Sequence, residues 1–326
     1  MSAPLTTRML PANADAVTEA ARILAAGGLV AFPTETVYGL GADATIGTAV
    51  ARLYAAKGRP AFNPLIAHVA DMHGARELAV FDADAEKLAA AFWPGPLTLV
   101  LPKAPGCTVA ELATAGLDSV AIRMPAHQVA RDIIRTLGHP VVAPSANRSG
   151  HVSPTTAGHV MTDLRGSIDL ILDGGPAPVG VESTIVACLG TPQMLRPGGL
   201  PRAEIEHVLG HSIADAPPVA IDTDAPLAPG MLASHYAPKA KMRLNAKDMR
   251  PGEALLAFGP SLPGATRSLN LSASGDLVEA AANLFSHLRA LDAAGTETIA
   301  VMPIPNDGLG EAINDRLARA AAPRES

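Results

Sequence analysis

The sequence predicts an α/β protein: a twisted, mixed sheet with helices packed on it, then a proline-rich linker, then a small second α/β unit. Three observations carry that prediction. Apolar runs of strand length recur between turn residues, and helix-period segments separate some of them without strict βαβ alternation. Residues 211–238 break both patterns with Pro217, Pro218, Pro226, Pro229 and Pro238, whose fixed φ keeps a chain extended. Beyond residue 240 strands and helices return over a segment near the lower end of domain size.

Along the chain, Asn13 caps a helix over residues 13–26, with Val17, Ala20, Ala21 and Leu24 on one face and Gly27 at its end. Leu29 to Phe32 is a short buried strand stopped by Pro33. Residues 46–56 resume a helical pattern that ends at Lys57. Pro64 to Val69 is a strand, and Asp71 and Asp82 are placed to cap the helices after it. Leu97 to Leu101, Val120 to Met124, Val141 to Ala143, Leu170 to Leu172 and Thr184 to Leu189 are further strand-length runs bounded by turn residues. After the linker, Ala254 to Phe258 reads as a strand, residues 276–294 as a helix, Thr298 to Pro303 as a strand and residues 310–321 as a helix.

Composition bounds the function. Apolar residues make up 48% of the chain and charged residues 17%, so each unit can bury a core; with aromatics at 3%, Ala, Val, Leu and Ile must build it. A net charge of −6 argues against broad binding to nucleic acid or an anionic membrane, yet leaves room for a local basic pocket. Cys107 and Cys188 lack metal-ligand spacing and read as buried, inert thiols. No apolar run reaches about 18 residues and the N-terminus lacks a signal-peptide core, so a soluble, cytoplasmic chain is expected.

The strand ends carry the chemistry. Short apolar strands run into PTETVYGLGAD (33–43), KGRPAFNPL (57–65), VAIRMP (120–125), APSANRSG (143–150), VESTIV (181–186) and LRPG (195–198). Loops at strand ends are free of pairing duty and hold ligands in open α/β sheets. Lys57, Arg59, Arg123, Arg148 and Arg196 all fall in such segments, where five clustered cations would repel one another without an anion. Taken singly, several have ordinary readings: Thr34 and Thr36 as turn hydroxyls, Lys57 and Arg59 as cations at a helix C-terminus, Ser145 and Asn147 as turn caps. Arg123 ends a buried strand, so it needs an anionic partner, either an acidic side chain or a ligand. No GxxxxGK[ST] loop, GxGxxG turn, GxSxG elbow or CxxC pair is present. The residues point to a small polar anion held by Arg, Lys and hydroxyls, possibilities including a phosphate ester.

FPTETVYGLGAD, KGRP with NPLIAHV, WPGPLT, VAIRMP and APSANRSG, in this order, resemble the threonylcarbamoyl-AMP synthase, or YrdC-like, family. PGM and HYAP (229–238) with the trailing unit resemble its longer members. The resemblance implies a YrdC-like catalytic domain over 13–203, a linker or lid over 204–240, and a Rossmann-like C-terminal α/β domain over 241–322. By the same resemblance Thr36, His68, Arg123, Ala143 through its backbone, and Ser183 hold L-threonine. Arg59, Asn63, Ser119, Ser145, Ser153, Arg196 and Tyr236 hold ATP, and Lys57 and Arg59 serve catalysis at the phosphates. No protein metal site is expected; Mg²⁺ comes with ATP. The implied reaction joins L-threonine, bicarbonate and ATP into threonylcarbamoyl-AMP and pyrophosphate. A downstream tRNA threonylcarbamoyl transferase complex receives the product, with direct RNA contact left open and no membrane role. Tyr236 is expected to be the lid's contact with the nucleotide. One departure is visible: Leu232, Ala233 and Ser234 stand where a basic-aromatic stretch is expected. Two other readings are a non-catalytic module for double-stranded RNA and a dinucleotide site in the C-terminal unit.

Overall fold

The computed structural model describes residues 5–60, 63–216 and 236–322. Its first part runs β1 (Arg8–Pro11), α1 (Ala14–Ala25), β2 (Val30–Pro33), β3 (Tyr38–Asp43), α2 (Gly47–Lys57), β4 (Ile66–His68), α3 (Met72–Leu78), α4 (Ala83–Phe92) and β5 (Leu97–Pro102). It continues through β6 (Ser119–Arg123), α5 (Gln128–Leu137), β7 (Val141–Val142), α6 (Ala157–Leu164), β8 (Leu170–Asp173), β9 (Thr184–Ala187), β10 (Gln193–Arg196), α7 (Arg202–Leu209) and β11 (Ala214–Asp215). The second part holds β12 (Lys241–Arg243), β13 (Glu253–Ala257), β14 (Ser268–Asn270), α8 (Leu277–Ala293), β15 (Thr298–Val301) and α9 (Gly310–Ala321).

The first eleven strands form one sheet in the order β1-β8-β2-β3-β7-β4-β6-β5-β9-β10-β11, with parallel and antiparallel neighbours mixed. Local chemistry starts the helices as expected. Asn13, Asp71 and Asp82 each accept a hydrogen bond from a first-turn backbone N–H, at 2.9, 2.9 and 2.8 Å. The two-residue period of the strands then sorts side chains between faces. Ala31, Ile122, Val142, Ile171 and Val186 join the main core on one face. On the other, Val30, Phe32, Val141, Leu170 and Leu172 pack under α1 and α5. Further along that second face Ile66, Val100, Ala121, Ile185, Ala187 and Leu195 form a small separate apolar floor. The functional side chains stand at the edge of this floor.

The structure adds strands that the sequence pattern hides. Residues 33–43 read as a polar loop, but Tyr38–Asp43 is a central strand, antiparallel to β2. Gly39 and Gly41 erase its alternation. A Cβ at Gly41 would stand 2.6 Å from the Phe32 ring and 3.0 Å from Val141, so the position has no room for a side chain. Cys188 is buried as expected; Cys107 is only partly buried, at the rim of the main core.

The four strands of the second part are all parallel, in the order β12-β15-β13-β14. This unit docks by its helices. Val37, Val152 and Val181 of the first unit share an apolar cluster with Ala281, Phe285 and Leu288 of α8 and with Ile313 of α9. Gly180 lies so close that an added Cβ would meet the Ala281 carbonyl oxygen at 2.2 Å. Most of the proline-rich linker, with His235 and residues 232–234, lies outside the described residues. Among the described residues no helix is long and apolar enough to cross a membrane.

Candidate functional site

Arg123, Ala121 and Ser119 alternate onto the floor face of β6, as do Ile66 and His68 on the parallel neighbour β4, where His68 pairs with Arg123 in register. Thr98 on β5 and Ser183, the residue before β9, do the same, and their hydroxyls meet at 2.8 Å. Arg196 breaks the rule. Leu195 belongs to the floor, so its neighbour should face away; a register shift between Met194 and Arg196 turns both to the same side. The chain after it must then cross the 182–184 backbone. A Cβ at Gly198 would stand 2.4 Å from three of those atoms, which accounts for the glycine in LRPG.

The result is a cavity of about 50 Å³ lined by Thr36, Arg59, His68, Arg123, Ala143, Ser145, Glu182, Ser183, Arg196 and Tyr236, with Val37, Ile66 and Pro144. Nine of these were expected from the sequence, five grouped around threonine and four around ATP. The remaining expected residues lie around it. Asn63 is buried beside Arg59, whose Nη2 donates to the Pro64 carbonyl at 3.2 Å. Ser153 donates its hydroxyl to Glu182 from behind the cavity wall. Ser119 is at the far end of β6, about 13 Å from Arg123 by strand rise. Lys57 does not line the cavity. Its buried ammonium donates to the carbonyls of Ser145 and Asn147, fixing the loop that does. Arg148 is exposed, and its Nε donates to the Asp163 carbonyl at 3.1 Å, so it is outside the cavity.

Arg123 has its anion within the chain. Nη2 donates to Glu35 at 2.6 Å and Nε to the Gly95 carbonyl at 3.3 Å. Glu35, which the sequence reading passed over inside PTET, also accepts from the Ala126 N–H at 3.0 Å. Burial would raise its carboxyl, but Arg123 and the backbone donors more than offset this and hold it below the ordinary range. A carboxylate ligand at Arg123 therefore shares the guanidinium with Glu35.

Two further side chains matter. Burial, with Arg123 adding like charge, pushes His68 down to about 3, so its imidazole is neutral at pH 7 and contributes shape and hydrogen bonding but no charge. Glu182 is tied at both ends, with one oxygen accepting from Ser153 and the other from Arg316 Nε at 2.8 Å. Arg316 comes from α9, is fully buried, and lies 5.1 Å above the Tyr236 ring. Tyr236 in turn stacks on Phe285 at 5.7 Å and holds a left-handed φ of 63°. Nothing in the sequence around Arg316, on an ordinary amphipathic helix, marks it as part of a distant site.

Fold and site together define an α/β protein with a buried, arginine-lined pocket for a small anionic ligand. Two family models match the chain: one described as Telomere recombination over residues 22–198, and one described as Threonylcarbamoyl-AMP synthase, C-terminal domain, over residues 200–322. The chain belongs to the threonylcarbamoyl-AMP synthase family. It is 44% identical to the threonylcarbamoyl-AMP synthase of Pyrococcus abyssi (strain GE5 / Orsay), over 94% of each chain. It is 40% identical to that of Bacillus subtilis (strain 168), over 98% of this chain and 96% of the relative. Among solved structures it is similar to that of P. abyssi Sua5 complexed with L-threonine, with a TM-score of 0.87, 41% identity and 97% of both chains covered.

Proposed function

We propose that this protein is an L-threonylcarbamoyladenylate synthase, a nucleotidyltransferase that serves threonylcarbamoyladenosine modification of tRNA. The observation that carries the reading is the convergence of Arg59, Arg123 and Arg196 with Thr36, His68 and Ser183 on one cavity. A set of that kind suits a substrate with a carboxylate at one end and phosphates at the other. The relatives' names and the threonine-bound structure supply the identities.

In this mechanism Arg123 grips the threonine carboxylate beside Glu35, with Thr36, Ser183, neutral His68 and the Ala143 backbone around the rest of the amino acid. The threonine amine attacks the carbon of bicarbonate, a C–O bond breaks, and water leaves to give a carbamate. A carbamate oxygen attacks the α-phosphorus of ATP, the bond to the bridging oxygen breaks, and pyrophosphate leaves. Arg59 and Arg196 stabilise the phosphate charge in a site shielded from water. Burial lowers both guanidinium groups, Arg59 to about 10, yet they remain cationic at pH 7. Lys57 acts one step back, by fixing the Ser145–Asn147 loop. Asn63, Ser119, Ser145, Ser153 and Tyr236 complete the nucleotide surface.

Mg²⁺ entering with ATP would supply charge neutralisation along the triphosphate. Among the described residues no three His, Cys, Asp or Glu side chains come together as a metal cage, and Glu182 in the cavity wall and Glu35 behind Arg123 are each tied to an arginine. The burial of Lys57, Arg59, Arg123 and Arg196 weighs against the RNA-binding reading, because a duplex cannot reach buried cations. The test is pyrophosphate release from ATP. It should require both L-threonine and bicarbonate; turnover unchanged on omitting threonine removes the assignment.

A further inference from the structure

Arg316 poses a problem of its own. A fully buried guanidinium is a costly choice for a docking helix, where an apolar side chain would serve adhesion better. The other ion pairs across the interface, Arg202 with Glu311 at 2.6 Å and Arg289 with Asp163 at 2.7 Å, keep partial contact with solvent. Arg316 instead passes over Tyr236 to reach Glu182, a residue of the cavity wall. Glu182 immediately precedes Ser183, whose carbonyl accepts from Arg196 Nη2 at 2.8 Å. A carboxylate so placed has two arginines within its field. It also lies where approaching phosphates would meet like charge.

We propose that Arg316 is a positioning residue for the nucleotide end of the cavity: it holds Glu182 against Ser153 and offsets that carboxylate's charge where phosphates would bind. The inference rests on the reading of this cavity as an ATP site. In it, docking of the C-terminal unit does more than cover the first unit. It brings a guanidinium, shared with Asp315 at 2.5 Å, that offsets the charge of Glu182 in the cavity wall. Tyr236, between the Arg316 guanidinium and Phe285, is fixed by the same contact.

Calorimetry on the full chain, with Mg-ATP and with L-threonine as separate titrants, tests this. Arg316→Met should weaken Mg-ATP binding by about tenfold or more while changing threonine binding by less than about threefold, as expected when a charge-balancing group is lost. Arg316→Lys, which keeps the charge, should fall between. The decisive variant is Arg316→Met with Glu182→Gln: removing the competing carboxylate should bring Mg-ATP affinity back to within about threefold of the parent. Arg202→Ala, which breaks the interface pair with Glu311, should lower the melting temperature and leave Mg-ATP binding within about twofold. Three results overturn the proposal: parental Mg-ATP affinity in Arg316→Met, a double variant no better than the single, or an equal loss in Arg202→Ala. If Arg316→Met does not fold, Arg316→Lys with and without Glu182→Gln gives the same decision. A parent chain that fails to bind Mg-ATP sinks the functional reading as well, whereas a parent that binds it alongside unmoved variants sinks only this one.

Discussion

The two sheets treat their strand ends differently. In the large mixed sheet, His68, Arg123 and Arg196 end β4, β6 and β10, and all three are buried and turned into one cavity. In the small parallel sheet, β13 and β15 flank the point where strand order reverses, the usual ligand crevice of an open α/β sheet. Yet their ends lead into Phe258, Gly259 and Pro260 and into Met302 and Pro303, with no buried cation at either. Among the described residues the second unit contributes one buried arginine, Arg316, from a helix on the side that docks. Topology marks where a ligand could bind; a buried charge that needs an anion marks where the chain has committed to one.

The largest expected effect tests that commitment. Arg123→Ala leaves Glu35 buried without its cation, which should cost about 3–5 kcal/mol of stability. Threonine affinity should fall by about 2–5 kcal/mol, so that calorimetry detects little binding at millimolar threonine. A variant that melts with the parent and binds threonine within about twofold would show that the buried strand-end cation is not the mark of the site.

A smaller effect is set by pH. Burial holds His68 down to about 3 and His159 to about 4, both in the first unit. Between about pH 6.5 and these values the unfolded chain takes up protons that the folded chain refuses, so stability is full above 6.5 and drains away as pH falls. Below about 4.5, Glu35 and Glu182, whose arginines hold them low, add to the loss as they are protonated. Melting temperature should thus decline steadily from pH 6.5 to 4, and His68→Gln should flatten the upper part of the slope. A level profile over that range in the parent would break the link between neutral His68 and folding.

The smallest effect lies at the other crevice. Ser261 is exposed just beyond β13, and Ser261→Ala should leave the kinetic constants for ATP and threonine within about twofold. A clear rise in the KM for ATP would mean that the small sheet also uses its strand ends, and the contrast between the two sheets would fail.

Legibility in the sequence followed the same division. Apolar runs located β2, β5, β6, β8 and β9 to within a residue or two, because their alternation is satisfied by two covered faces. It missed β3, whose Gly39 and Gly41 pattern as loop, and β1, an edge strand with mostly exposed side chains. It read Thr36, Arg59, His68, Arg123, Ser145, Ser183 and Arg196 as one family's site, and the structure gathers them. Glu35 and Arg316 escaped because an acidic residue in a turn and an arginine on a helix look ordinary until their partners are known.

The sequence by itself determined the α/β class, the strand-end segments that carry charge, and the residue types that suit an anionic ligand, because each depends on local pattern and side-chain chemistry. Only the tertiary structure decided which charges meet. Arg123 and Glu35 are 88 residues apart in sequence, and Arg316 and Glu182 are 134 apart. Pairing at such separations is set by sheet register and by how the second unit docks, and a local pattern holds no record of either.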